Sequence, residues 1–297
     1  MRIKMSNIFK GIANIDRRYY YVGVFVLTVI LLLFPLGLPL AISPEVRHTY
    51  ELIDSLEPGD LVIINFCLSA SGYAQLQGAC NSMIDHVFQK EGVLVIFTST
   101  ADQAPIMLEE IIANNGELMP GHTDYPYYQI NGKQYGEDYV NMGYYPGLFK
   151  WIASLSADFR PALGNNDWYG LDVSDFFDSH NLNSAEEVDL VISFDSDDGA
   201  GDFMNYFFLE YGTPVVQSMI GVMVANSKVQ YNAGNYAGIV PSIRGAAEYQ
   251  YLANYPGYAL TQMDAFSVVQ FFLILLMVLG NIGYYGYTRL QRGDEHG

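Results

Sequence analysis

The run Ala265–Tyr287 (AFSVVQFFLILLMVLGNIGYYGY) constrains this chain more than any other stretch. It carries no charge, and about 20 apolar residues suffice to cross a bilayer as one helix. A second run, Tyr19–Ile42 (YYYVGVFVLTVILLLFPLGLPLAI), lies near the start. The block between them is polar enough to fold in water. The pattern predicts a basic tail over 1–18, a first transmembrane helix over 19–42 and an acidic domain over 43–264. A second transmembrane helix over 265–288 and a short tail over 289–297 complete it. Pro35 and Pro39 should weaken the first helix near its end, because proline lacks a donor and clashes with the preceding turn.

The flanks set an orientation. Arg2, Lys4, Lys10, Arg17 and Arg18 precede the first run, and Arg289 and Arg292 follow the second. Lys and Arg are enriched on cytoplasmic flanks, so both termini are expected inside the plasma membrane and the central domain outside it. Tyr19, Tyr20 and Tyr21, with Tyr284, Tyr285 and Tyr287, suit the aromatic belt at the inner surface. The first run is longer than the roughly 7–15 residues of a signal-peptide core, and no A-x-A site follows it. It reads as an uncleaved anchor.

Charge narrows the partners. Residues 43–264 hold 29 Asp and Glu against 7 Lys and Arg, a net −22, while the whole chain is −18. Phosphate recognition draws on Lys and Arg, so nucleic acid is not an expected partner. Membrane lipid, further copies of the chain and other membrane proteins are.

Periodicity gives the domain its class. A short amphipathic helix is expected over Glu45–Leu56. Leu61–Cys67 (LVIINFC), Val93–Thr98 and Val188–Phe194 are nearly continuous apolar runs, the mark of strands buried on both faces. Helices are expected at Tyr73–Gln89, from a cap at Asp102 with Pro105 in its first turn, at Gly147–Ala157, at Asp202–Tyr211 and at Ser242–Asn254. Tyr139–Tyr144 and Pro214–Val224 are further strands, and Asn131-Gly132 favours a two-residue hairpin turn. Arg160–Asn183 and Ser227–Gly238 read as loops. Alternating strands and helices mean a parallel sheet wrapped by helices. The fold class is α/β: an open, mostly parallel Rossmann- or flavodoxin-like sheet of about five strands, flanked by terminal transmembrane helices.

Ligands of such sheets bind at the carboxyl ends of the strands. Three loops qualify: Leu68–Gly72, Ser99–Asp102 and Asp195–Asp202. The last carries Asp195, Asp197, Asp198 and Asp202 within eight residues, and clustered carboxylates suit calcium or magnesium. An EF-hand loop needs glycine at its sixth position, however, and Gly199 is fifth. Solvated carboxylates, or a cap on the next helix, are the alternative. Gly199 and Gly201 lack the third glycine of a dinucleotide fingerprint, since Met204 occupies it. The five His (48, 86, 122, 180, 296) stand at no ligand spacing, and no Walker loop, G-x-S-x-G, H-E-x-x-H or C-x-x-C occurs. No catalytic residue and no organic cofactor is expected.

Cys67 and Cys80 are the only cysteines. A disulfide between them suits an extracytoplasmic domain, and two small buried thiols suit the sequence equally. Tyr125, Tyr127, Tyr128, Tyr135, Tyr139, Tyr144, Tyr145, Tyr169, Tyr231 and Tyr236 fall in or beside loops. Tyrosine favours interfaces, though packing on the sheet is the alternative. In the second span, Gly280, Gly283 and Gly286 with Asn281 suit close helix packing.

Several phrases carry a resemblance: KQYGEDYVNMGYYPG (Lys133–Gly147), IRGAAEYQYL (Ile243–Leu252), LGNIGYY (Leu279–Tyr285), the lead-in Ile15–Arg18 and LFPLGLP (Leu33–Pro39). The chain resembles, over nearly its whole length, an uncharacterised family of bacterial and archaeal membrane proteins. The resemblance implies two spans around an extracytoplasmic Rossmann-like domain and implies no activity. The function expected is that of a non-enzymatic membrane-anchored module that assembles with itself or its neighbours. The alternatives are a divalent-cation-dependent enzyme or small-ligand binder at the strand ends, and a sensor or transporter accessory subunit.

Overall fold

The structure is a computed structural model and describes residues 16–123, 126–197 and 199–295. The tail before Asp16, with Arg2, Lys4 and Lys10, lies outside the described residues, as do Tyr125, Asp198 and His296. The chain divides into two compact units, one of Leu40–Leu260 and one joining the segments up to Pro39 and from Thr261.

In the terminal unit, helix α1 (Arg17–Leu33) is capped by Asp16 and stops two residues before Pro35. The chain over Phe34–Ile42 is not helical, so the first apolar run is not one continuous helix. The extended exit leaves backbone donors without helical partners. The Asp264 carboxylate accepts from two of them, Gly37 N at 2.7 Å and Leu38 N at 3.1 Å. Gly23 of α1 lies against the Phe272 ring. Phe25, Val29, Phe271, Ile274 and Met277 are exposed.

The central unit begins with α2 (Pro44–Asp54), whose Pro44 sits in the first turn, where its missing N–H costs nothing. Then follow β1 (Leu61–Cys67), α3 (Ala70–Gln89), β2 (Leu94–Ser99) and α4 (Ala104–Asn115). Every residue of β1 and β2 is buried, as unbroken apolar runs require. Asp102 does not cap α4; Gln103 occupies that position. A small antiparallel sheet is made of β3 (Glu117–Leu118), β4 (Tyr128–Ile130) and β5 (Lys133–Gln134). Asn131 (φ 50°) and Gly132 (φ 90°) form the β4–β5 turn, both left-handed as this hairpin type demands.

Strand β6 (Tyr139–Tyr144) precedes α5 (Phe149–Ala157), α6 (Phe159–Leu163) and α7 (Ser174–His180). The span read as loop over Arg160–Asn183 therefore holds two short helices. Phe159, Phe176 and Phe177 bury their rings there, so aromatic packing supplies what periodicity does not. After β7 (Leu190–Asp195), α8 (Gly199–Phe203) continues through a π-turn at Met204–Phe208 and a last turn at Leu209–Tyr211. Next come β8 (Val215–Met219), α9 (Val224–Asn232), β9 (Gly238–Pro241), α10 (Ser242–Leu252) and α11 (Tyr258–Glu295). The expected loop at Ser227–Gly238 is thus mostly α9, and a short sixth strand follows it.

The main sheet has six strands in the order β6-β2-β1-β7-β8-β9, all parallel. Counted within the sheet this is 3-2-1-4-5-6, the doubly wound Rossmann order. Hydrophobic side chains on both faces of the strands are buried, and those of one face form a core with Trp151, Phe159, Phe176 and Phe203 of the flanking helices.

One buried histidine makes stability pH-dependent. His86 of α3 stacks on Tyr50 at 4.7 Å and shares a 2.7 Å hydrogen bond between its Nδ1 and the Tyr249 hydroxyl. Burial holds its pKa below the ordinary 6.5, with Lys90 adding to that effect and Asp54 opposing it. As pH falls, the unfolded chain takes up the proton before the folded chain does. The contribution is therefore full above about pH 6.5 and lost as pH falls through the folded value. Melting temperatures of wild type should drop over that window, and those of His86→Phe should drop less. Equal slopes would show that His86 stays solvated.

Candidate functional site

The three strand-end loops converge. Because β2, β1 and β7 are adjacent, their carboxyl ends open on one cavity of about 280 Å3. Its lining is Cys67, Leu68 and Ser69 after β1, Thr100, Ala101, Asp102 and Gln103 after β2, Ser196 and Asp197 after β7, and Leu148. Between β1 and β7 the winding of the chain reverses, and such a switch point leaves a crevice.

The two central loops are pressed together. A Cβ on Gly72 would stand 2.5 Å from Ser196 Cβ, and one on Gly199 would stand 2.8 Å from Cys67 Cβ. Only glycine tolerates either approach. Ser69 N donates to Ser196 Oγ at 2.8 Å, and Ser196 N donates to Cys67 O at 2.8 Å. Ser69 also caps α3, its Oγ accepting from Gly72 N at 3.2 Å.

A polar chain crosses the sheet beneath this rim. Thr98 Oγ1 donates to Asn65 Oδ1 at 3.3 Å, and Asn65 Nδ2 donates to Ser193 Oγ at 3.1 Å. Ser193 Oγ donates to Asp195 Oδ1 at 2.6 Å. Gln217 Nε2 and Ala200 N donate to Asp195 Oδ2 at 2.7 and 3.0 Å. Asn65, Ser193 and Asp195 are wholly buried. Hydrogen bonds of this kind are what allow a carboxyl group inside a sheet.

The three described aspartates of the cluster lie in different surroundings. Asp195 points into the protein and is occupied by three donors, Asp197 lines the cavity, and Asp202 lies half-buried on α8. Asp198 lies outside the described residues. Among the described residues, no three His, Cys, Asp or Glu gather to hold a metal ion. Asp195 is the last residue of β7, and Asp202 lies in the helix that follows.

The cysteines are free and buried, so the disulfide is also corrected. Cys67 ends β1, whereas Cys80 lies ten residues into α3, about 15 Å along the helix. Burial and the nearby Asp195 push the Cys67 thiol up to about 12, and burial alone holds Cys80 well above its ordinary range. Neither is a nucleophile at neutral pH, since thiolate is the reactive form. The chain should migrate identically with and without reductant, and a maleimide should label it only after denaturation. Labelling of the folded chain would contradict the burial of both thiols.

The loop tyrosines mostly pack inward. Tyr135, Tyr139 and Tyr236 are buried. Tyr145 stacks on Trp151 at 4.7 Å and donates its hydroxyl to Leu163 O. Tyr135 donates to Asp167 Oδ2 at 2.5 Å, and Asp167 also accepts from Tyr169 N and Leu171 N. In α11, Gly283 is buried, Gly286 half-buried, Asn281 exposed, and Gly280 meets open space. These four do not share one packed face within the chain.

Sequence reasoning missed Gln103 and Leu148. Leu148 adopts φ 41°, ψ −117°, an uncommon conformation for a residue with a side chain. The only hint was its neighbour Gly147.

Fold and crevice together define a doubly wound α/β domain with a hydroxyl- and carboxylate-lined cavity at its switch point. No protein-family model, curated protein or solved structure matches this chain. The segment Tyr258–Thr288 of α11 is long and apolar enough to cross a bilayer, and almost none of it is buried.

Proposed function

We propose that this chain is a non-enzymatic membrane protein that holds its α/β domain outside the cell and binds a small neutral or cationic solute in the switch-point crevice. The observation that carries the reading is the lining: Asp102 and Asp197, hydroxyls of Ser69, Thr100 and Ser196, and no Lys, Arg or His. Carboxylates attract amines and repel phosphates, and hydroxyls suit uncharged polar groups.

Two anchors fit the length of α11, the exposed apolar side chains of α1, and the family resemblance. α1 is 17 residues long, at the lower end of what spans a bilayer. The extracytoplasmic placement rests on Arg17, Arg18, Arg289 and Arg292. Impermeant amine reagents should label Lys90, Lys150 or Lys228 on intact cells; labelling only after lysis inverts the layout. For the crevice, melting temperatures should rise with small amines or polyols but not with their phosphate esters. Asp102→Asn with Asp197→Asn should abolish the response to amines. A stronger response to phosphates would overturn the reading.

Assembly through the membrane helices is a second reading, favoured by one observation. Asn281 is exposed within the uncharged stretch 265–288 of α11, and an amide in lipid gains from a partner across a helix contact. Sizing in detergent should give more than one copy, or a co-purifying membrane protein. Asn281→Leu should loosen that complex, and a lone monomer counts against it.

A further inference from the structure

Leu148 breaks two local rules at once. It is the N-cap of α5, where leucine is among the poorest choices and gives the helix no side-chain hydrogen bond. Its φ of 41° and ψ of −117° lie near the first central position of a type II′ turn, a place dominated by glycine, asparagine and aspartate. Burial does not offset the strain, because the side chain is 38% exposed. Strained residues of this kind cluster at active sites and ligand clamps, and broken local rules mark places where function is served. Leu148 stands in the lining of the switch-point crevice.

It has apolar company. Phe149, the next residue, is 52% exposed. Ile106, three residues on from the lining residue Gln103 in the first turn of α4, is 68% exposed. Single exposed apolar residues are ordinary; here one is held at the cavity against its own backbone preference. The same cavity carries Asp102, Asp197 and the hydroxyls of Ser69, Thr100 and Ser196. Asp102, Asp197 and Ser69 are exposed, so a solute in the cavity reaches them.

A carboxylate wall and an apolar wall in one crevice select a ligand class. Resting on the reading of the crevice proposed above, we infer that its ligand is an amphipathic amine: an ammonium group on a short alkyl or aryl chain, with no acidic group. The ammonium is held by Asp102 and Asp197, and the chain lies along Leu148 towards Phe149 and Ile106. An acid or phosphate on the ligand would meet two carboxylates and no Lys, Arg or His. A polyol or a bare metal ion would gain nothing from Leu148. The volume of about 280 Å3 is at the small end for ligand sites, which keeps the chain short.

The test titrates the full chain in phosphatidylcholine nanodiscs, with empty discs as the blank. The probes are ethylamine, propylamine, butylamine, pentylamine and phenethylamine, beside the alcohols of the same chains and phenylalanine. Calorimetry should show saturable binding of the amines that tightens about twofold to fourfold with each methylene, fourfold being complete burial. Phenethylamine should bind at least about tenfold tighter than phenylalanine, whose carboxylate the site repels. Asp102→Asn with Asp197→Asn should remove the preference for amine over alcohol. Leu148→Ala should weaken the longer amines more than the shorter. Leu148→Gly should do the same without lowering the melting temperature, because glycine relieves the backbone. A residue that served only the fold would give neither result. Amines that bind without regard to chain length, or a chain-length dependence that both Leu148 variants keep, overturn this inference and leave the crevice reading standing. So does phenylalanine binding as tightly as phenethylamine, or a melting temperature that Leu148→Gly lowers. Absence of saturable binding by every amine and alcohol overturns both.

Discussion

Replacing Asp195 with alanine lowers the unfolding free energy of the domain by about 3–5 kcal/mol, the range for breaking a buried network by removing one partner. The side chain is wholly buried and accepts from Ser193 Oγ, Gln217 Nε2 and Ala200 N. Alanine strands all three donors and leaves a void beside β7. Asp195→Asn should cost less, because one amide oxygen can still accept while the new N–H₂ faces donors. Thermal or urea melts of the full chain give the ordering wild type, then Asn, then Ala. A midpoint unchanged in both variants would mean that water reaches the group and the polar chain is no part of the core.

Substituting Gly72 with valine separates the switch-point loops. Its Cβ would meet Ser196 Cβ at 2.5 Å, too close for a rotamer change to relieve. Overpacking of this kind costs about 1–3 kcal/mol. The larger effect is on the crevice, since moving Ser196 breaks its bond from Ser69 N and shifts Asp197. Solute binding should vanish in Gly72→Val and weaken in Gly72→Ala, with the melting temperature falling in the same order. Retained binding with a lowered melting temperature would place the solute elsewhere.

Much of this architecture is written in the chain at short range. LVIINFC and VLVIFT can only be buried strands, and Asn131-Gly132 specifies its hairpin through positive φ. The three loops that meet at the crevice follow from strand ends alone. What periodicity does not carry is the destination of polar side chains. Asp195 and Asp197 are two residues apart and alternation alone would put them on one face, but β7 ends at Asp195, and the turn after it leaves Asp197 at the cavity. Nothing local distinguishes them, which is why a cation site looked plausible. Helix α9 escapes notice because it buries little, Ser227 being its one buried residue. The inward turn of Tyr135, Tyr139 and Tyr236 depends on partners far along the chain, and Leu148 enters the site through a backbone twist.

Both rims of the main sheet are closed. At one side, β6 has Asn141 O taken by Trp168 N at 2.9 Å and Asn141 N donating to the Tyr135 hydroxyl at 3.2 Å. At the other, β9 is four residues long, ends in Pro241, and lies so near α2 that a Cβ on Gly238 would meet Thr49 Oγ1 at 2.3 Å. Strand-by-strand growth needs a free ladder of backbone groups. The edges of the main sheet therefore offer little free ladder for strand-by-strand growth.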